Sequence, residues 1–281
     1  MIASMTAVVS WGFGPLSVRA ISASAPTIAL YRFAAAVPLF LVVARVTGGR
    51  LDRRLMRGAL APGLCFGLSF VTSFESFQRT SIANATLIGS LSPLVILPVA
   101  ALMMGDRLGA RRLGFGLMAV IGVAMTVLGA SSSSDASFTG DLLAAGTLLL
   151  FSAQLILVKR HRDLGAHAWA FVAAISTVGV AVIVPWALLV GVDHAAFGGT
   201  DWVLLALMIL GPGLLGHGLM TWAQAHVDAS VTALLMLGSP VIASLGAWVF
   251  FDQALSGWQM SGAVVVLGAL AGVVLDNRRR A

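Results

Sequence analysis

The chain has 281 residues, of which 59% are apolar and only 10% charged, with a mean hydropathy of +0.98. Soluble domains carry roughly 25% charged residues, so a soluble globular fold is excluded and a polytopic helical membrane protein is predicted. The net charge of +6 does not mark a nucleic-acid binder, because the basic residues lie in short connections between apolar runs, where they act as topology signals.

Ten apolar spans are predicted in chain order, at 1–18, 27–45, 57–77, 83–104, 111–130, 140–158, 167–190, 201–222, 230–251 and 257–275. Each approaches the roughly 20 residues that cross a bilayer as a helix. The first is kept as a span, because Ala23-Ser-Ala25 follows an apolar run with no preceding cation, and Arg19 comes after it. Those flanks are wrong for a cleavable leader. The single cysteine, Cys65, lies within the third span and reads as a small packing residue.

Fourteen of the seventeen Lys and Arg fall on one side when the spans alternate: Arg45, Arg50, Arg53, Arg54, Arg57, Arg107, Arg111, Arg112, Lys159, Arg160, Arg162 and Arg278–Arg280. Arg19, Arg32 and Arg79 remain on or near the other side. The positive-inside rule then predicts both termini in the cytoplasm. Ser131–Ser137 is the longest polar connection. It divides the chain into a first five-helix repeat at 1–130, a periplasmic linker at 131–139 and a second five-helix repeat at 140–281. Five is odd, so the second repeat enters the membrane inverted.

One apolar stretch occurs in both halves. Ala85–Asp106 and Thr232–Asp252 superpose at an offset of 147, which lays Leu87 on Leu234, Ser92 on Ser239, Pro93 on Pro240 and Ala100 on Ala247. A proline inside a helix frees the carbonyl four residues earlier, here those of Gly89 and Met236. In lipid such a group needs a partner in the protein or in a wet cavity. Two kinked helices related by inversion are therefore expected near the bilayer centre, where inverted-repeat transporters place their substrate. Trp11 to Arg19 and Phe151 to Lys159 repeat the same spacing at the ends of spans one and six.

These residues also carry a family resemblance. Ala83-x-Ala85, Leu91-Ser-Pro93, Gly105-Asp106-Arg-Leu108 and Gly114 run in the order of the EamA repeat of the drug/metabolite transporter superfamily. Val231-x-Ala233, Gly238-Ser-Pro240, Asp252, Leu255 and Gly262 follow it again, and Trp11-Gly12 and Tyr31-Arg32-Phe33 resemble the first repeat's opening. Asp106 and Asp252 stand where the family usually has Glu. The second copy has no glycine before its aspartate and no match for Arg32. The resemblance implies an all-α integral membrane protein of ten transmembrane helices in two inverted repeats. It is similar to bacterial inner-membrane exporters of small metabolites, often amino acids, with a cavity between the halves.

Ionisable groups inside a membrane call for a functional hypothesis. Arg32, Glu75 and Arg79 lie toward the outer ends of spans two and three, and Glu75 and Arg79 share a helix face. They form an outer gate on one reading and a permanent structural pair on the other. His217, just after Gly211-Pro212-Gly213, either carries a coupling proton or bridges helices as a neutral imidazole. Gln154 offers donor and acceptor to a zwitterion, or to a neighbouring helix. Phe70, Phe74 and Phe77 form one stripe, as a cavity wall or as packing, with Trp11 and Trp222 on cavity-lining spans of the family. Trp169, Trp186, Trp202, Trp248 and Trp258 read as interfacial anchors, and His226 and Asp228 as a solvated turn.

The predicted substrate site is Trp11, Phe74, Asn84, Ser92, Pro93, Gln154, His217, Ser239 and Pro240, closed on the outside by Arg32, Glu75 and Arg79. No metal site, nucleophile elbow or phosphate-binding Gly-Lys-Ser/Thr motif is present, so no cofactor and no enzyme activity are expected. The partners expected are a small-molecule substrate and membrane lipid, with no nucleic acid, and the chain can stand as a monomer. Export of amino acids by alternating access is the leading expectation; export of lipophilic cations and a non-transporting scaffold or sensor are the alternatives.

Overall fold

The structure, a computed structural model, describes residues 1–80, 85, 88–104, 109–128, 137–194, 196–251 and 255–280. Asn84, Asp106, Arg107, Asp252 and most of the polar linker lie outside the described residues, as does the side chain of Phe77. Every described element is helical. In chain order they are α1 (Ile2–Ala20), α2 (Ala25–Val46), α3 (Arg53–Arg79), α4 (Ser92–Met104), α5 (Ala110–Leu128), α6 (Phe138–Asp163) and α7 (Ala168–Val190). Then come α8 (Gly199–Met208), a π-helical segment (Ile209–His217), α9 (Gly218–Ala223), α10 (Ala229–Met236), α11 (Ser239–Phe251) and α12 (Gly257–Arg280).

Among the described residues, eight helical stretches are long and apolar enough to cross a membrane. Two shorter apolar helices, Ile2–Val18 and Ser92–Met103, accompany them. Large apolar side chains such as Leu102 and Leu189 are each 86% exposed. Such surface is stable against lipid and not against water.

Hydrogen bonds tie the helix ends into two groups. At one end Nε2 of His167 meets the Thr47 carbonyl at 3.1 Å, and Nε of Arg162 donates to the Thr221 carbonyl at 2.9 Å. At the other, Thr80 Oγ1 donates to Asp141 Oδ1 at 2.7 Å, and the Ser22 amide donates to Asp201 Oδ1 at 3.3 Å. The first group holds most of the basic residues and is the basic end below. Asp52 caps α3 there by accepting from the Leu55 amide at 2.7 Å, which satisfies one of the free amides of a helix start.

The helices pack mostly across the two halves of the chain. α3 lies against α6 and α7, α2 against α7, α5 against α12, α4 against α10, and α1 against the π segment and α11. Backbones touch where α5 crosses α12: a Cβ on Gly122 would stand 2.8 Å from the Gly262 carbonyl, and one on Gly262 would stand 2.6 Å from the Gly122 carbonyl. Lipid gives no hydrophobic drive between helices, so such close approach supplies the attraction by dispersion.

The paired Ser-Pro stretch departs from expectation. The chain does not run through either proline as a kinked helix. It turns at Ser90–Leu91 and again at Leu237–Gly238, positions separated by the same 147 residues as the prolines. The turns close with three-residue bonds, Leu91 N–H to the Ile88 carbonyl at 3.0 Å and Gly238 N–H to the Leu235 carbonyl at 3.0 Å. Pro93 and Pro240 then sit at the second residue of α4 and α11, where a helix needs no amide donor. The physical reason is that ending a helix and starting another satisfies a proline more cheaply than bending one.

Candidate functional site

The site is built around the π segment. Gly211-Pro212-Gly213 interrupts span eight, and the helix widens from Ile209 to His217. A widened turn with a proline in it leaves carbonyls without their normal helical donors. Trp11 of α1 supplies one, its Nε1 donating to the Pro212 carbonyl at 3.2 Å. It reaches that depth because residue 216 is glycine: a Cβ there would stand 2.5 Å from Trp11 Nε1.

Around Trp11 the helices deliver rings. His217 lies 5.1 Å from Trp11 between centroids, and Phe151 of α6 lies 6.1 Å from it on a second side. Phe66 and Phe70 of α3 approach His217 at 5.1 and 6.2 Å, and Phe33 of α2 meets Phe70 at 4.5 Å. Helical spacing of four explains why Phe66, Phe70 and Phe74 share a stripe. Trp11, Phe151, Phe66, Phe70 and Phe33 thus bring four helices, α1, α2, α3 and α6, against the π segment. His217 is 8% exposed and Gln154 6%. Gln154 follows Phe151 by one helical turn on α6, and its Oε1 is shielded from solvent without a hydrogen-bond partner.

Arg32 belongs to this cluster and does not join Glu75 and Arg79. Its Cζ stands 4.9 Å from the Phe33 centroid and 5.6 Å from that of Phe70, which are cation–π distances. It makes no ion pair or hydrogen bond among the described residues. Where a three-residue ion-pair network is expected, the structure has a pair: Arg79 Nη2 meets Glu75 Oε2 at 3.1 Å. The other carboxylate oxygen, Oε1, accepts from Trp186 Nε1 at 3.1 Å. Trp186 also stacks on Phe74 at 5.8 Å, so it fixes Glu75 and is no simple interfacial anchor. Phe74 stands with that pair, and its described ring contact with the cluster is to Phe70, 6.4 Å away.

The remaining expected residues separate. Ser239 opens α11 against α1, its carbonyl 3.2 Å from where a Cβ on Gly12 would be, one residue from Trp11. Pro240 follows it, half-buried. Ser92 and Pro93 are buried where α4 packs on α6 and α10, beside the core of Ile96, Ala100, Leu155 and Ala233. None of those four touches the ring cluster by a described hydrogen bond or ring contact.

Two features are absent from the sequence expectations. Arg112 of α5, 3% exposed, pairs with Asp228 at 2.9 Å and Asp276 at 3.8 Å and donates to Ser230 Oγ at 3.2 Å. Asp228, expected as a solvated turn residue, is half-exposed and is an ion-pair partner as well. A spacing of 116 residues between Arg112 and Asp228 leaves no local signal for it. The second feature is a cavity of about 450 Å³ at the basic end, lined in part by Thr47, Arg162, His167, Trp169 and Trp222. Trp169 packs on Gly218, where a Cβ would stand 2.1 Å from its ring, so this part of the cavity lining is one residue from His217. The half-exposed Trp222 lines the cavity as well.

Long apolar helices, a lipid-facing apolar surface and polar side chains gathered between helices together define a multi-pass membrane protein. The EamA-like transporter family model matches residues 1–128 and again 138–275, and the chain belongs to that family. It is 25% identical over 256 residues to the Pseudopaline exporter CntI of Pseudomonas aeruginosa strain UCBPP-PA14, covering 90% of this chain and 87% of that protein. The same protein of strain PAO1 gives the same identity and coverage. One solved crystal structure superposes with a TM-score of 0.77 over 99% of this chain and 98% of the other, at 20% identity. That likeness is one of fold.

Proposed function

We propose that the chain is a secondary transporter that exports small organic metabolites, amino acids with aromatic or other apolar bodies foremost, across the bacterial inner membrane by alternating access. The observation that carries this is the meeting of Trp11, Phe151, Phe66, Phe70 and His217 at the broken span eight, walled by helices from both halves. Family membership supports transport, and similarity to a protein named as a pseudopaline exporter supports the outward direction.

Inverted repeats of five helices at 1–130 and 140–281 account for the packing. Exchanging each span with the one five later turns α3 on α6 into α1 on the π segment, and turns α4 on α6 into α1 on α11. It leaves α2 on α7 and α5 on α12 unchanged. The basic end is cytoplasmic in this reading by the positive-inside rule, as are both termini. The cavity lined by Trp169 is then the way in, and the Glu75–Arg79 pair closes the way out. Trp11, Gln154 and His217 contact substrate. The turns before Ser92-Pro93 and Ser239-Pro240 are the pivots on which the halves rock.

The test is solute counterflow in proteoliposomes over a labelled metabolite panel, with and without a pH gradient. Wild-type protein is expected to accumulate apolar amino acids, and Trp11→Ala, Gln154→Ala and His217→Ala to lose most of that flux. A wild type that moves nothing on the panel sinks the reading.

A further inference from the structure

We propose that Arg32 is the receptor for a substrate carboxylate, so that the transported class is amino acids and related organic acids with an apolar body and not amines or lipophilic cations. The assignment rests on the transporter reading above and names the chemistry of that same site.

Arg32 lies two turns into α2 and is 6% exposed. Its Nε is shielded from solvent and makes no hydrogen bond among the described residues, and its guanidinium lies beside the adjoining Phe33 and Phe70 rings, 4.9 and 5.6 Å from their centroids. A cation at membrane depth is retained when it is paired or when it serves the pathway. Ring faces offset only part of the lost hydration. Glu75, the carboxylate expected to pair with it, has both oxygens engaged, one by Arg79 and one by Trp186. His217, the other titratable side chain with a described contact to Phe70, lies 6.2 Å from that ring and brings no negative charge. Among the described residues, then, the protein offers no pairing partner.

A guanidinium presents a planar fork of donors that fits a carboxylate with two parallel bonds. The neighbouring surface is aromatic, which suits an apolar or ring-bearing body. Gln154 Oε1, buried and unpartnered, stands one turn past the Phe151 that contacts Trp11. It is an acceptor of the kind an ammonium group requires. Fork and rings together match the carboxylate and the apolar body of such a substrate. A phosphate monoester would also fit the fork, and a phosphate arm of the experiment separates the two.

The experiment uses purified full-length protein in liposomes. L-phenylalanine and L-leucine are compared with the amines that lack the carboxylate, phenethylamine and isoamylamine, and with phenyl phosphate. Wild-type protein is expected to move the two amino acids at least tenfold faster than the amines or phenyl phosphate. Arg32→Gln is expected to lose at least tenfold in amino-acid flux, and Arg32→Lys, which keeps the charge without the fork, to fall between. Because Arg32 has no counter-charge among the described residues, Arg32→Gln should unfold at the same or a higher temperature than wild type, whereas loss of a structural arginine would lower it. Amines or phenyl phosphate moving as fast as amino acids, wild-type flux through Arg32→Gln, or a lower unfolding temperature for that variant overturns the carboxylate assignment and leaves the transporter standing. A wild type that moves no solute of the broader metabolite panel removes both.

Discussion

Arg112 and Arg32 are buried alike, at 3% and 6% exposure, yet their surroundings are opposite. Arg112 sits at the basic end with two aspartates and a serine hydroxyl around it, drawn from the turn before α10, α10 itself and α12. Arg32 sits among rings with no counter-charge from the described chain. A buried cation whose partners come from the same protein fixes how helices meet. One whose partner is missing marks where another molecule completes the structure. The difference separates a latch from a receptor, although both residues look equally anomalous in an apolar chain.

Breaking the latch should have the largest effect on stability. Arg112→Ala takes from Asp276, 7% exposed, the counter-charge that Arg112 provides, and such losses run about 3–5 kcal/mol. A fall of that size should appear in denaturant or thermal unfolding of the detergent-solubilised protein. Next comes the seat of Trp11. Gly216→Ala places a methyl group 2.5 Å from Trp11 Nε1, and forced repacking of this kind costs about 1–3 kcal/mol. The same substitution should reduce transport more than it reduces stability, because it displaces the ring that faces His217. The outer pair comes third. Arg79 is 54% exposed in its side chain, so Arg79→Ala should change stability by only about 0–1 kcal/mol. If that variant instead unfolds as readily as Arg112→Ala, the contrast between an exposed pair and a buried latch fails. Arg32→Gln comes last and should leave stability unchanged or raise it, so here the sign matters more than the size.

Much of the fold is legible in the amino-acid sequence alone. Apolar run lengths announce a helical membrane protein, and the offset of 147 between Pro93 and Pro240 marks both places as special. Trp11 and His217 enter the expected site on separate grounds and do meet. The expectations that fail have a common cause: a sequence locates a residue along its helix but not around it. Arg32 and Glu75 fall toward the same ends of their predicted spans, so pairing is the natural expectation, yet Glu75 meets Trp186 and Arg79 while Arg32 meets Phe33 and Phe70. Asp228 and Trp169 escape sequence reasoning for the same reason, their partners Arg112 and Gly218 being set by tertiary packing. The prolines differ. Helical counting assumes that the chain continues through them, whereas two successive turns allow each to begin a helix.

The central claim is tested most directly by counterflow of labelled L-phenylalanine through wild type and Arg32→Gln, reconstituted side by side at equal protein content. A carboxylate receptor at Arg32 predicts a transient overshoot of label in wild-type vesicles and at least a tenfold smaller one with Arg32→Gln. Equal overshoots in the two preparations would contradict it.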